Sequence, residues 1–249
     1  MLTALAWFYI WQGAGMGMTA PAMTRLALFP HLIAEPMPGM TMPPITWLTV
    51  VFMWWIMMIA MMTPSAAPLV LLYGRVMRHA GRPQRTAPYV HTAILMTGYL
   101  VAWLAFSIAA TLLQYSLQYA GLISRMMLWS QSATLSAVVL AAAGLYQLSP
   151  LKHACLKHCR GPVAFLTEHM RQGRLGALRM GLEHGIWCIG CCWILMALLF
   201  VGGIMNLVWI ALISLLVSLE KIAPHGAMTG RIAGIVFIVW SLATLAMAG

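Results

Sequence analysis

Residues 186–219 contain no Asp, Glu, Lys or Arg, and similar long apolar runs recur along the chain. An uncharged run of that kind restricts the fold more than any other feature. In hydrocarbon every backbone polar group must be satisfied within the structure, which leaves helices or closed barrels. A hydrocarbon layer of ~30 Å takes about 20 residues at a 1.5 Å rise. Runs near that length fall at roughly 2–18, 46–63 (extendable to 73), 89–113, 127–148, 184–201, 204–220 and 229–247. The expected fold is therefore all-α: a polytopic transmembrane helix bundle of about seven spans in a single membrane domain, 1–249. The count drops to six if 186–219 is one kinked helix instead of two helices turning at Gly202-Gly203.

Charge supports this reading and sets the expected orientation. Charged residues make up 7% of the chain, against about 25% in soluble domains. Asp is absent and the formal net charge is +10. The basic residues lie between apolar runs, where they hold loops in the cytoplasm and touch lipid headgroups. Nucleic acid is not an expected partner. With the N-terminus inside and seven spans, the inner loops carry Arg75, Arg78, Arg82, Arg85, Lys152, Lys157, Arg160, Arg171, Arg174, Arg179, Lys221 and Arg231. The outer loops carry Arg25 and Arg125, and the C-terminus falls outside. No Lys or Arg precedes Arg25, so residues 2–18 are expected to stay as a helix and not to be removed as a signal.

All five cysteines fall between Lys152 and Trp193, with four of the eight histidines. Cys155 and Cys159 are four apart, with His158 adjacent and His153 two before Cys155. His184, Cys188 and Cys191 lie at i, i+4 and i+7 on one helical face, with Cys192 at its edge. Thiolate and imidazole donors in such density point to a metal or redox site, and four of Cys155, Cys159, Cys188, Cys191, His158 and His184 are enough for a tetrahedral one. Glu183 is placed to orient His184 by bonding its free ring nitrogen. The competing reading is that these cysteines pack as small hydrophobes and that His153 and His158 accompany headgroup lysines. The spacing matches no standard zinc finger or ribbon.

The first outer segment is rich in Met and Pro, with Met37, Met40 and Met42 within six residues. Thioethers select Cu(I) where thiols would oxidise. Met53, Met57 and Met61 continue along one helical face, with Met58 and Met62 beside them. Such a stripe is either a soft-ion path or flexible packing. Gln114, Tyr115, Gln118 and Tyr119 read as interface anchors. Leu175, Leu178 and Leu182 recur at helical spacing opposite Arg171, Arg174 and Arg179, which suggests a short amphipathic helix on the cytoplasmic surface. Gly226-xxx-Gly230-xxx-Gly234 is a close-packing face. Asn206 is expected to bond across helices, and Glu220 and Lys221 to snorkel to the interface.

Several spaced motifs resemble a bacterial family of multi-pass integral membrane proteins predicted to bind metal. They are Pro150-Leu151-Lys152-His153-Ala154-Cys155-Leu156-Lys157-His158-Cys159-Arg160, His184-Gly185-x-x-Cys188-x-Gly190-Cys191-Cys192-Trp193, Gly203-x-Met205-Asn206-Leu207, Glu220-Lys221, and Ala60-Met61-Met62-x-Pro64-Ser65-Ala66-Ala67-Pro68. The resemblance implies metal binding in the bacterial inner membrane and brings no reaction with it.

Three functions follow as expectations. The first is copper handling: Cu(I) uptake, or loading of copper into a membrane enzyme, with a copper-dependent membrane enzyme or a periplasmic metal carrier as the protein partner. The second is a non-catalytic assembly subunit with a structural metal, zinc being the alternative to copper. The third is a membrane thiol or haem oxidoreductase. No nucleotide-binding loop, paired carboxylates or Ser/His/Asp set occurs, so nucleotide and hydrolytic chemistry are not expected.

Overall fold

The computed structural model describes residues 1–15, 19–28, 46–79, 87–124, 128 and 130–248. Eleven helices occur among them: α1 (Leu2–Trp11), α2 (Ala20–Leu28), α3 (Trp47–His79), α4 (Ala87–Tyr119), α5 (Ala133–Leu148), α6 (Pro150–Arg160), α7 (Pro162–His169), α8 (Gly173–Ala197), α9 (Leu199–Gly202), α10 (Leu207–Ile222) and α11 (Gly226–Ala248). Apart from one antiparallel bridge, Ile123 to Ser130, no β pairing occurs among the described residues. Met37, Met40 and Met42 lie outside the described residues.

Each of the seven expected runs contains a helix, but the helices differ in reach. Four segments are long and apolar enough to cross a membrane: Trp47–Arg78, Tyr89–Tyr119, Gly173–Gly202 and Gly226–Met247. A fifth counts if α5 and α6 are one span, and these two are bent by 65° at Ser149. The bend is local chemistry. Ser149 is extended, its side chain accepts from Lys152 N, and Pro150 takes the first helical position, where its missing N–H costs nothing. α1 has 10 residues and α10 has 16, so α10 is about 24 Å long, short of the ~30 Å hydrocarbon layer.

The run 186–219 is divided. α8 and α9 end at Gly202, the backbone turns at Gly203 with φ 94°, and α10 restarts from Asn206. That φ is open to glycine at little cost. Asn206 does not bond across helices as expected. Its Oδ1 accepts from Val208 N at 3.1 Å and its Nδ2 donates to Gly202 O at 2.9 Å, so it caps α10 and ties down the break. A short polar side chain beside free helix-start N–H groups meets that need first.

In the segment from Gly161-Pro162 to Arg179, Pro162–His169 forms the short helix α7, but the leucine-repeat part of the expected surface helix is the start of α8, whose buried line is Gly176, Ala177, Met180, Gly181 and His184. Leu175 and Leu182 are exposed. Small residues decide this face. A Cβ on Gly181 would fall inside contact distance of Leu95 O, and one on Gly98 inside that of Leu178 O. α4 and α8 therefore touch backbone to backbone, a contact that leucines cannot make. The Gly226/Gly230/Gly234 line does pack closely, with Gly234 set against Gly144 O and Gln147 of α5 and Gly230 against the Glu220 side chain.

Candidate metal centre

Five helices bring the centre together. α3 enters as a column of buried thioethers, Met53, Met57, Met58, Met61 and Met62, all at or below 1% exposure. Pro64 and Pro68 sit inside that helix and remove two backbone donors just beyond the Met62 end of the column. α4 contributes Tyr99, α6 contributes Cys155 and Cys159, α8 contributes His184, Cys188, Cys191 and Cys192, and α10 contributes Lys221. All five cysteines are buried and reduced.

Cys188 and Cys191 each neighbour both Cys159 and Cys192. The Cys191 and Cys159 sulfurs are 3.9 Å apart, and Cys192 Sγ lies 3.8 Å from Met62 Sδ. Cys188 is the hub. Lys221 Nζ donates to its sulfur at 2.8 Å, and the Tyr99 hydroxyl is 3.1 Å from it. That hydroxyl also lies 3.2 Å from Met62 O, and Lys221 Nζ reaches Ser65 Oγ at 3.3 Å. The thiols of Cys191 and Cys192 turn back onto the Cys188 carbonyl at 3.1 and 2.9 Å. Cys155 stands beside Cys191 and against Gly190, where any Cβ would be 3.1 Å from its sulfur.

No group of three or more His, Cys, Asp or Glu side chains among the described residues is arranged as a ready metal cage. The thiols are close but face carbonyls, a hydroxyl and an ammonium. The donor set still fits a soft ion: four buried thiols and one thioether, with the Glu220 carboxylate committed to Lys152 and Gln147.

Placement of the expected ligands divides them. Cys159, Cys188, Cys191 and Cys192 come together, with Cys155 at the margin. His184 is buried between the Tyr99 and Phe165 rings, and its Nδ1 has no hydrogen-bond partner among the described residues. An orphaned buried ring nitrogen beside the thiols is a spare donor. His158 is elsewhere: it stacks on Trp187 with ring centres 4.2 Å apart, and its Nδ1 meets Ala154 O at 3.0 Å. His153 bonds Ser149 O at 2.8 Å. Glu183 does not orient His184. It pairs with Arg171 at 2.7 Å, because consecutive helical residues point away from each other.

Glu220 and Lys221 do not snorkel, being 2% and 8% exposed. Glu220 is held by Lys152 Nζ at 2.6 Å and Gln147 Nε2 at 2.6 Å, both buried. Gln114, expected at the interface, is buried and accepts from Trp54 Nε1 at 2.8 Å. The signal for this network was available in the sequence: an acidic and a basic residue directly following an uncharged stretch are functional candidates by default. Tyr99 carried no such signal.

Residues 51–244 match the family model described as PpoB2, copper chaperone. No curated protein and no solved structure matches the chain in the same way. The match takes in α4 to α10 whole, with nearly all of α3 and every thiol of the pocket, and on that extent the chain belongs to the PpoB2 family of copper chaperones.

Proposed function

We propose that the chain is a membrane-embedded copper chaperone that carries Cu(I) as cargo on the thiols of Cys159, Cys188, Cys191 and Cys192. Met62 and His184 are the neighbouring soft and borderline donors, and Cys155 is the thiol next in line. The observation that carries this reading is the packing of four thiols and a thioether in one buried pocket of a copper-chaperone family member. Soft sulfur donors favour Cu(I), and buried thiols near a cytoplasmic surface remain reduced.

Four to five helices long and apolar enough to cross a membrane support placement in the bacterial inner membrane. Lys157 and Arg160 lie on α6, Arg174 and Arg179 on α8, and Arg171 in the connection before α8, which supports a cytoplasmic face for the pocket. The thioether column of α3 ends 3.8 Å from Cys192, which supports a soft-ligand route from the far side of the bundle to the thiols. The expected partners are a copper-dependent membrane enzyme, loaded by ligand exchange, or a periplasmic metal carrier.

The test is metal analysis of the full-length protein purified in detergent and loaded anaerobically with Cu(I). Stoichiometric copper, lost when Cys159, Cys188, Cys191 and Cys192 are all changed to Ser, is the expected result. Copper retained in that variant, or stoichiometric zinc with no copper, overturns the reading.

A further inference from the structure

Glu220 and Lys221 are adjacent in sequence yet serve different partners. The Glu220 carboxylate is taken by Lys152 and Gln147, so that buried ion pair cancels its own charge. Lys221 is a second buried cation, and its contacts are a sulfur and a hydroxyl: Cys188 Sγ at 2.8 Å and Ser65 Oγ at 3.3 Å. A buried ammonium needs an anion beside it, and here the sulfurs are the groups positioned to supply one. A cleft of about 250 Å3 opens onto this spot, lined by Ser65, Leu69, Cys159, Arg160, Pro162 and Lys221 among others, with the Arg160 guanidinium donating to the Ala223 and Pro224 carbonyls at its rim. The ammonium thus stands between the opening and Cys188.

We propose that Lys221 is the fixed counter-charge of the thiol pocket and determines which ion the pocket accepts: a soft monovalent cation held by two thiolates. The assignment rests on the copper reading above and adds the source of its selectivity. Cu(I) on two thiolates carries one net negative charge, which the Lys221 ammonium neutralises in place. A divalent ion on the same two thiolates is already neutral and leaves the ammonium buried without an anion. With Cys159 and Cys188 as the two thiolates, a third restores balance for a divalent ion by drawing Cys191 or Cys192 away from the Cys188 carbonyl. Each copper–sulfur bond forms by donation of a sulfur electron pair, with no electron passed between metal and thiol. A proton displaced from a thiol leaves to water through the cleft.

Lys221 acts through the sulfurs and not as a ligand, so it is a positioning and selecting residue. Its test compares two ions. Wild-type, Lys221→Gln and Lys221→Arg proteins, full length in detergent, are titrated with Cu(I) against a chromogenic Cu(I) chelator and with Zn(II) against a zinc indicator. The Gln variant removes the charge without adding a soft donor. It is expected to weaken Cu(I) by about tenfold or more, because a charge lost within contact distance in a buried site is weakly screened. Zn(II) affinity is expected to stay unchanged or rise, and Lys221→Arg to recover most of the Cu(I) affinity. Equal weakening of both ions marks a merely structural residue and overturns the assignment, as does Cu(I) affinity unchanged in Lys221→Gln. Should Lys221→Gln not fold, Lys221→Leu carries the same expectation. Absence of cysteine-dependent Cu(I) binding in the wild type overturns the copper reading and this one with it. Copper bound through the cysteines with no effect of Lys221 overturns this one alone.

Discussion

Replacing Gly181 with Ala tests the backbone contact that holds α4 against α8. A Cβ at Gly181 would overlap Leu95 O and sit 2.8 Å from the Leu95 carbonyl carbon and 3.0 Å from Tyr99 N. These are main-chain atoms, so no rotamer change relieves them and the helices must separate. An added methyl in a well-packed core costs about 1–3 kcal/mol, and main-chain overlap sets this case near about 3 kcal/mol. The better helix propensity of Ala offsets about 1 kcal/mol. A net loss of about 2 kcal/mol lowers the unfolding midpoint by roughly 4–8 °C in a chain of this length. The loss extends to the thiols, because the Tyr99 backbone is one of the displaced groups and its hydroxyl lies 3.1 Å from Cys188 Sγ. The assay is tryptophan fluorescence during heating of the detergent-solubilised protein, with Gly74→Ala as the control. A Cβ at Gly74 would be 3.4 Å from Thr92 Oγ1, an ordinary contact. Equal midpoints for Gly181→Ala and Gly74→Ala would refute backbone packing as the cause of the α4–α8 geometry.

Other outcomes follow from the same contacts. Lys152→Met leaves Glu220 buried without its cation and is expected to cost about 3–5 kcal/mol. The double variant Lys152→Met/Glu220→Gln should recover much of that, read as denaturation midpoints in a double-mutant cycle. His158→Ala is expected to leave Cu(I) stoichiometry as in the wild type, since that ring stacks on Trp187 outside the thiol pocket. Copper loss in this variant would return His158 to the ligand set. Asn206→Ala removes the α10 cap and should lower stability by about 1 kcal/mol, with loss of protection at the Val208 amide in hydrogen exchange.

Helical class and the apolar segments were legible because each run is long enough to outweigh local ambiguity. Runs of about 20 residues have few alternatives in a chain with 7% charge. Crossing length was less legible. α10 ends where Glu220 and Lys221 turn inward, and an apolar count cannot tell an inward charge from one facing headgroups. The grouping of His184, Cys188 and Cys191 was readable from i, i+4 and i+7 spacing on α8, whereas Cys159 comes from α6 and joins them only through packing. Which histidines join them was not, because His158 and Cys159 are adjacent yet face different neighbours. The α8 face was misread for a related reason. Periodic leucines mark the buried stripe of a soluble helix, whereas here Gly181 and Gly185 mark it, since close approach of backbones needs small residues. Tyr99, 89 positions before Cys188, reaches the pocket only through that approach.

The pocket draws on α3, α4, α6, α8 and α10, and Lys221 is the last of its residues to leave the ribosome. No shorter stretch of the chain presents the same set of groups. In zinc fingers the ion gathers its ligands and drives folding. Here packing between apolar helices brings the sulfurs together with no ion present, and a chain that stopped short of α10 would hold every cysteine yet lack the ammonium beside Cys188.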